Sequence, residues 1–359
     1  MRRIARVLQL HCINHMNRAK HEFSGEIKAR IKQLLPLNNW SGPLGLAVDV
    51  LVIAAAAWAA CQSMWLYPLA VLVIGARQRG LASLLHESCH KTLMKNRRLN
   101  DFVGRWLAGF PIFQSHRAYV RSHVLLHHSF LGDAQRDPDY INYLESGLFE
   151  VRDRLDFLLR FVLRTALLLN VGSYLKYLGA HRLKGLASER SEWMGLLAVQ
   201  AIVATLFTLA AGPLGYLVFW IVPFLTSFQV IGWFSEIAEH YPLMKTAEST
   251  LTITRNRFPT WFEGLVIGMH GDNYHLVHHL FPGVPFWNLA AADRVLMSDP
   301  AYAAVNRNVG GIFTAAPGRR SVLRSILTDI RIGANAQPAP RIAPNAVALQ
   351  SVSEQAFHE

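Results

Sequence analysis

A chain of 359 residues with 52% hydrophobic and only 17% charged residues, its apolar residues gathered into long runs, has the composition of a membrane protein. The net charge of +12 and pI near 9.9 suit an anionic membrane surface or an acidic partner. Nucleic acid is disfavoured: Lys and Arg fall in short groups such as Arg97-Arg98 and Arg319-Arg320 outside the apolar runs, with no nucleic-acid module around them. Cys12, Cys61 and Cys89 make no CxxC pair, which argues against a disulfide framework or an iron–sulfur cluster.

Segment 1–40 is basic and lacks the continuous apolar core of a cleaved secretory signal; it reads as an amphipathic cytoplasmic segment, with an Arg-rich organellar presequence left open. The first span is expected over about 44–65, its apolar run broken only by Asp49. An uncharged turn at Tyr67-Pro68 leads to a second span over about 66–85. Arg77, Gln78 and Arg79 interrupt its apolar run, but Leu81, Leu84 and Leu85 continue the helical pattern, so this helix leaves the membrane and carries on. A second hairpin follows the same plan, with spans over about 193–211 and 214–234, joined at AAGPLG and kinked at Pro223. Both turns lack Lys and Arg, and the positive-inside rule then puts the turns outside and both termini in the cytoplasm.

Between the hairpins, 155–169 is rich in leucine but holds Asp156, Arg160 and Arg164. At roughly 2.5–3.5 kcal/mol per charge, inserting it would cost on the order of 8 kcal/mol. It reads as part of an interfacial helix over about 155–175, as does 102–113, which is too short to span. The membrane domain occupies 41–310. Residues 311–359 form a C-terminal extension, low in aromatics and rich in Ala and Pro from about 333, where a mobile tail is expected. The fold class is all-α: two transmembrane hairpins, four spans in all, carrying a cytoplasmic helical cap.

Three windows carry the chemistry: His86-Glu-Ser-Cys-His90, His123-Val-Leu-Leu-His127-His128 and His275-Leu-Val-His278-His279. They hold eight of the chain's 16 histidines. On a helix, residues three or four apart share a face, so His86/His90, His123/His127 and His275/His279 can each offer two imidazoles to one point, with His128 and His278 adding nitrogens at an offset angle. Eight imidazoles exceed one tetrahedral zinc and suit a pair of first-row ions. At 1.5 Å per residue, Pro68 to His86 covers about 27 Å and Gly215 to His240 about 38 Å, so both helices bring histidines to or past the edge of a ~30 Å core. His240 is therefore expected as a ninth ligand.

Over roughly 37–303 the segments GARQRGLASLLHESCH, RSHVLLHHSFLGDAQRDPDY, FSEIAEHYP and NYHLVHHLFPGVPFWNL resemble the membrane fatty-acid desaturase superfamily, in the family's order. The resemblance implies an all-histidine centre of two iron ions (Fe2+/Fe3+) under a four-helix stem, dioxygen as cosubstrate, and a separate electron donor, a ferredoxin or a cytochrome with its reductase. It makes an acyl chain the leading substrate. The superfamily also includes carotenoid and sphingolipid enzymes, and a desaturase that forms the vinyl group of rhizobitoxine from an amino-acid precursor, so a small-molecule substrate stays open. Related acyl desaturases carry Asn four residues before the isolated histidine, where this chain has Glu236. That change leaves direct ligation, a water bridge and a hydroxylase-like variation open.

The expected ligands are His86, His90, His123, His127, His128, His240, His275, His278 and His279, with no catalytic residue beyond them. Glu236, Glu87, Asp137, Asp272 and Asn273 are expected beside them, since bound imidazoles usually donate their other N–H to such groups. Asp133 and Asp139 fit either that role or a Pro-containing turn. His116, His181 and His270 stand outside the windows. Such a centre removes hydrogens from adjacent carbons to give an alkene, or returns oxygen to give an alcohol; substrate placement decides. No Rossmann fingerprint, cysteine cluster or fused haem domain supplies electrons internally. His86-Glu87-Ser88-Cys89-His90 also satisfies HExxH, the signature of a zinc hydrolase with Glu87 as base, but six box histidines then have no role. A histidine-rich transporter would need its site near the bilayer midplane.

Overall fold

The computed structural model describes residues 18–183 and 190–333. Residues 1–17 of the basic N-terminal segment, and the expected tail beyond 333, lie outside the described residues. Within them the chain is helical, and pairing between extended segments is limited to the isolated bridges Ala19–Ser249 and Val309–Arg320.

Four helices are long and apolar enough to cross a membrane: Ser41–Gln62, Met64–Cys89, Arg190–Ala211 and Leu217–Thr246. They match the expected spans, with the second and fourth running further at their C-terminal ends. Large apolar side chains such as Leu51, Trp58, Leu197, Leu206 and Leu209 face outward along the first and third. Such faces are stable only against lipid or another apolar surface.

In chain order the elements used below are α1 (Gly25–Lys32), α2 (Ser41–Gln62), α3 (Tyr67–Cys89), α4 (Arg97–Phe102), α5 (His116–Tyr119), α6 (Pro138–Glu145), α7 (Val171–Leu178), α8 (Arg190–Ala211), α9 (Ser227–His240), α10 (His275–Leu280), α11 (Leu289–Leu296), α12 (Pro300–Asn306) and α13 (Val322–Gly333). The fourth span is interrupted as Pro223 predicts. A wide helical turn over Leu217–Ile221 precedes the proline, and the break itself falls at Thr226, after which α9 starts afresh. Proline removes one N–H and crowds the carbonyl a turn earlier, and the helix widens to relieve it.

Asp49, the lone charge of the first span, is fully buried. His270 Nε2 lies 2.7 Å from its Oδ2 and Arg77 Nη1 3.3 Å from its Oδ1. The charge therefore pins α2 to α3 and to the loop before α10. The interfacial helix expected over 155–175 is two helices. The first ends at Ala166, Leu168 takes a left-handed φ of 62°, and the Asn170 amide donates to Thr165 Oγ1 at 2.9 Å before α7 begins. The side-chain bond holds a backbone bend that hydropathy does not reveal.

Three buried clusters pack around the histidine windows. Leu84, Leu85, Cys89, Leu93 and Val103 pack behind the first window. Phe23, Ile27 and Ile31, the last two on α1, pack with Leu276, Val277, Leu289 and Tyr302 behind the third. Tyr140, Tyr143, Ile231, Ile237, Val322 and Ile326 join α6 and α9 to α13, so part of the C-terminal extension belongs to the core.

Candidate metal centre

All nine expected histidines converge, in two groups: His86, His90, His123, His128 and His278 in one, His127, His240, His275 and His279 in the other. α3 delivers His86 and His90 at its end, α9 ends on His240, and α10 carries the third window. The groups adjoin, the rings of His128 and His279 stacking at 4.3 Å between centroids.

His123 and His127 do approach one point, together with Asp139, but the two larger groups hold them apart. The helix that starts at α5 widens to a π-helical form over Val120–His127, and the His128 N–H bonds the His123 carbonyl five residues back at 2.9 Å. With more residues per turn, positions five apart come onto one face. His123 and His128 thus meet, Nε2 to Nε2 3.2 Å, and His127 is turned into the other group. In α10, His275 and His279 keep the expected spacing at 3.0 Å, and His278 crosses to His128 at 3.0 Å. His275 and His240 lie 2.9 Å apart.

These contacts fit cations. Two nitrogens about 2.1 Å from one first-row ion, at right angles to each other, stand about 3.0 Å apart. Hydrogen bonding alone satisfies the cluster poorly: His86 Nε2, His90 Nε2 and His127 Nε2 are buried without a partner. Burial, reinforced by the neighbouring imidazoles, pushes His123, His128, His275, His278 and His279 well below the ordinary histidine value. They are neutral near pH 7, with lone pairs free to bind metal. His127 is the exception: burial lowers it, but Asp137 and Asp139 outweigh that and raise it.

Carboxylates back the centre unevenly. Asp137 is fully buried, accepts from His127 Nδ1 at 2.9 Å and from the Gly132 N–H at 2.7 Å, and caps α6. Its bond to Nδ1 leaves the His127 Nε2 lone pair facing the cluster. Asp139 lies 3.2 Å from the same Nδ1, whereas Asp133 is engaged in its own turn by Gln135 and Arg136. Glu87 stands 3.7 Å from His86 Nδ1; its Oε2 accepts from Thr92 Oγ1 at 2.8 Å and from the Phe286 N–H at 3.0 Å. That carboxylate ties the first window to the segment after the third, a different task from activating water on zinc. Asp272 pairs with Arg257 at 2.7 Å, and the Asn273 amide donates to the Arg257 carbonyl at 3.0 Å.

Glu236 is in neither group; it lines the adjoining cavity. The carboxylate of α9 that approaches the histidines is Glu239, 3.6 Å from His275 Nε2 and held by Arg257 at 2.7 Å. Arg257 belongs to no recognisable motif, and Glu239 lies in the segment FSEIAEHYP without standing out there as a partner of the site. The one available hint was that α9 places Glu239 beside His240. Among the histidines outside the windows, His116 bonds Ser88 Oγ at 3.0 Å, His181 lies against Tyr177, and His270 holds Asp49.

A cavity of about 70 Å³ opens against His86, His123, His127, His240 and His275, and Arg79, Gln114, Tyr177, Arg182 and Glu236 also border it. It adjoins a chamber of about 340 Å³ through Tyr174, Tyr177 and Glu236, which line both.

Four apolar helices, the second and fourth of which carry histidines into two adjoining clusters of imidazoles, define a membrane-type histidine-box oxidoreductase. The chain belongs to the fatty acid desaturase family, whose model matches residues 28–310. It is similar to dihydrorhizobitoxine desaturase of Bradyrhizobium elkanii, 40% identical over 321 residues that cover 85% of this chain and 89% of the relative. It also resembles the chloroplastic omega-6 fatty acid desaturases of Spinacia oleracea and Arabidopsis thaliana, each 24% identical, covering 84% and 87% of this chain and 67% and 70% of theirs. The chain is thus an oxidoreductase of the desaturase class.

Proposed function

We propose that the nine histidines hold two iron ions, and that the enzyme uses dioxygen to desaturate a small amino-acid-derived substrate such as dihydrorhizobitoxine. Bound iron supplies the reduction of dioxygen to two waters. Two of the four electrons come with the two hydrogens lost from adjacent substrate carbons. The other two come, with two protons, from a separate donor, a ferredoxin or a cytochrome with its reductase. Asp137 and Asp139 hold the His127 ring in place, and the Glu239–Arg257–Asp272 triad packs against His275. The cap and both termini lie in the cytoplasm under this reading, on the side where a soluble donor is found.

One observation carries the substrate assignment: the cavity that meets the imidazoles is walled by charge, with Arg79, Arg182, Asp139 and Glu236 on its lining. A methylene chain laid there would strip these groups of water and give nothing back, at a cost of several kcal/mol. A polar molecule replaces that water. The 40% identical relative supports the same assignment by its name. An acyl substrate is the second reading, supported by the family and the omega-6 relatives.

The test is mass spectrometry of cells expressing the chain and fed dihydrorhizobitoxine, with lipid acyl chains profiled in parallel. Loss of two hydrogens from the fed compound is expected. Desaturated acyl chains with no change in the fed compound overturn the substrate assignment, and gain of one oxygen replaces desaturation by hydroxylation.

A further inference from the structure

Arg79 and Glu236 border the same cavity from facing helices, Arg79 on α3 and Glu236 on α9. Each lies in the other's field, yet they form no direct ion pair. Among the described residues, neither the Arg79 guanidinium nor the Glu236 carboxylate has a hydrogen-bond partner. The neighbouring charges differ in this respect. Arg182 donates to the hydroxyls of Ser122 and Tyr177, Asp139 accepts from Tyr177, and Arg257 is taken by Glu239 and Asp272.

The fold makes room for the open cation. A Cβ on Gly232 would come within 3.1 Å of Arg79 Nη1, so the glycine one turn before Glu236 lets the guanidinium lie flat against α9. The Phe228 ring, 5.4 Å from Arg79 Cζ, helps hold it there. A guanidinium and a carboxylate kept apart across a cavity, both without protein partners, are costly unless a ligand or water completes them.

We infer that Arg79 and Glu236 form a clasp for a small zwitterion, Arg79 taking the substrate carboxylate and Glu236 its ammonium group, with the carbon chain directed toward the histidines. The clasp rests on the proposed small-molecule reading and names its recognition groups. It also gives Glu236 a role: the carboxylate that stands where related acyl desaturases have Asn serves substrate recognition, outside both histidine groups. The chamber of about 340 Å³, at the lower end of the roughly 300–1,000 Å³ common for small-ligand sites, is the entrance; Arg160, Arg164 and Asn142 on its wall give a polar solute partners on the way in.

The experiment is equilibrium binding to the iron-loaded full chain in lipid nanodiscs, without reductant, so that no turnover intervenes. The probes are dihydrorhizobitoxine, its carboxyl methyl ester, its α-N-acetyl derivative and oleate. Removing one charge-assisted contact costs roughly 10- to 100-fold in affinity, so the ester and the N-acetyl compound should each bind that much more weakly than the parent. Arg79→Ala should erase the difference between acid and ester while keeping the difference made by N-acetylation. Glu236→Gln should do the reverse, and Arg79→Lys should restore part of the acid preference. A distorted fold would weaken every probe alike and would not exchange these preferences. Equal binding of acid and ester by the unaltered protein, preference for oleate, or no binding of the amino-acid probes overturns the clasp. If desaturation of the fed compound persists without any acid–ester preference, the clasp alone fails; if the fed compound is never desaturated, the reading beneath it fails.

Discussion

The two histidine groups share a wall but not a setting. The four-histidine group has three carboxylates within 4 Å of its imidazoles: Asp137 and Asp139 beside His127, and Glu239 beside His275. The five-histidine group has Glu87 alone among the described residues, at 3.7 Å and already engaged by Thr92 and Phe286. A carboxylate on the outer nitrogen makes an imidazole a better electron donor and fixes its tautomer and direction. Asp137 and Asp139 stand on that outer nitrogen of His127, whereas Glu239 approaches His275 Nε2, the nitrogen turned toward His240 and His279, so negative charge is concentrated around one of the two nitrogen cages. The five-histidine cage depends on burial and on ring-to-ring packing.

The most severe disruption removes a nitrogen. His127→Ala and His275→Ala are expected to abolish product formation and to lower iron content. Unchanged product with both irons retained would remove those residues from the ligand set. Next comes Arg257, which is 1% exposed and neutralises both Glu239 and Asp272. Arg257→Ala leaves the buried Glu239 and the part-buried Asp272 without their cation, and breaking a buried pair such as Arg257–Glu239 costs about 3–5 kcal/mol. Thermal unfolding of the purified protein should show the loss. A melting curve superimposable on that of the unaltered protein would mean that the triad contributes nothing to the fold.

How much of this was legible in the sequence depended on whether a feature was local. The histidine windows and the spans are patterns of short period, and both appear where the spacing puts them. The segment that holds Asp156, Arg160 and Arg164 is broken into shorter helices, none of them among the four long enough to cross a membrane. The pairing of His123 with His128, which puts His123 and His127 in different larger groups, was not legible, because it turns on a widened helical turn over Val120–His127, and an i, i+4 spacing carries no sign of that. Arg257 and Glu239 were missed for another reason: they are 18 residues apart and meet only in the fold. Asp49 interrupts an apolar run, and its partner His270 lies 221 residues away, so the pairing exists only in the fold. Asn273 stands next to the third window, but its amide serves the backbone.

The two remaining substitutions set one group against the other directly. Asp137→Asn keeps the side chain's size but weakens its hold on His127 Nδ1. Lost partners of metal-bound histidines typically cost 10- to 100-fold in metal affinity, so chelator competition should strip iron from this variant at about that much lower chelator concentration. Glu87→Gln is expected to do less. Its carboxylate is 3.7 Å from His86 Nδ1, beyond hydrogen-bond reach, and the amide oxygen of Gln can still accept from Thr92 or the Phe286 N–H. A change of less than about tenfold follows, since the substitution weakens the hydrogen bonds from Thr92 and Phe286 but removes none from the imidazole itself. If Glu87→Gln released iron as readily as Asp137→Asn, the five-histidine cage would depend on its single carboxylate as strongly as the other depends on three. The unequal placement of charge would then have no consequence for how the metals are held.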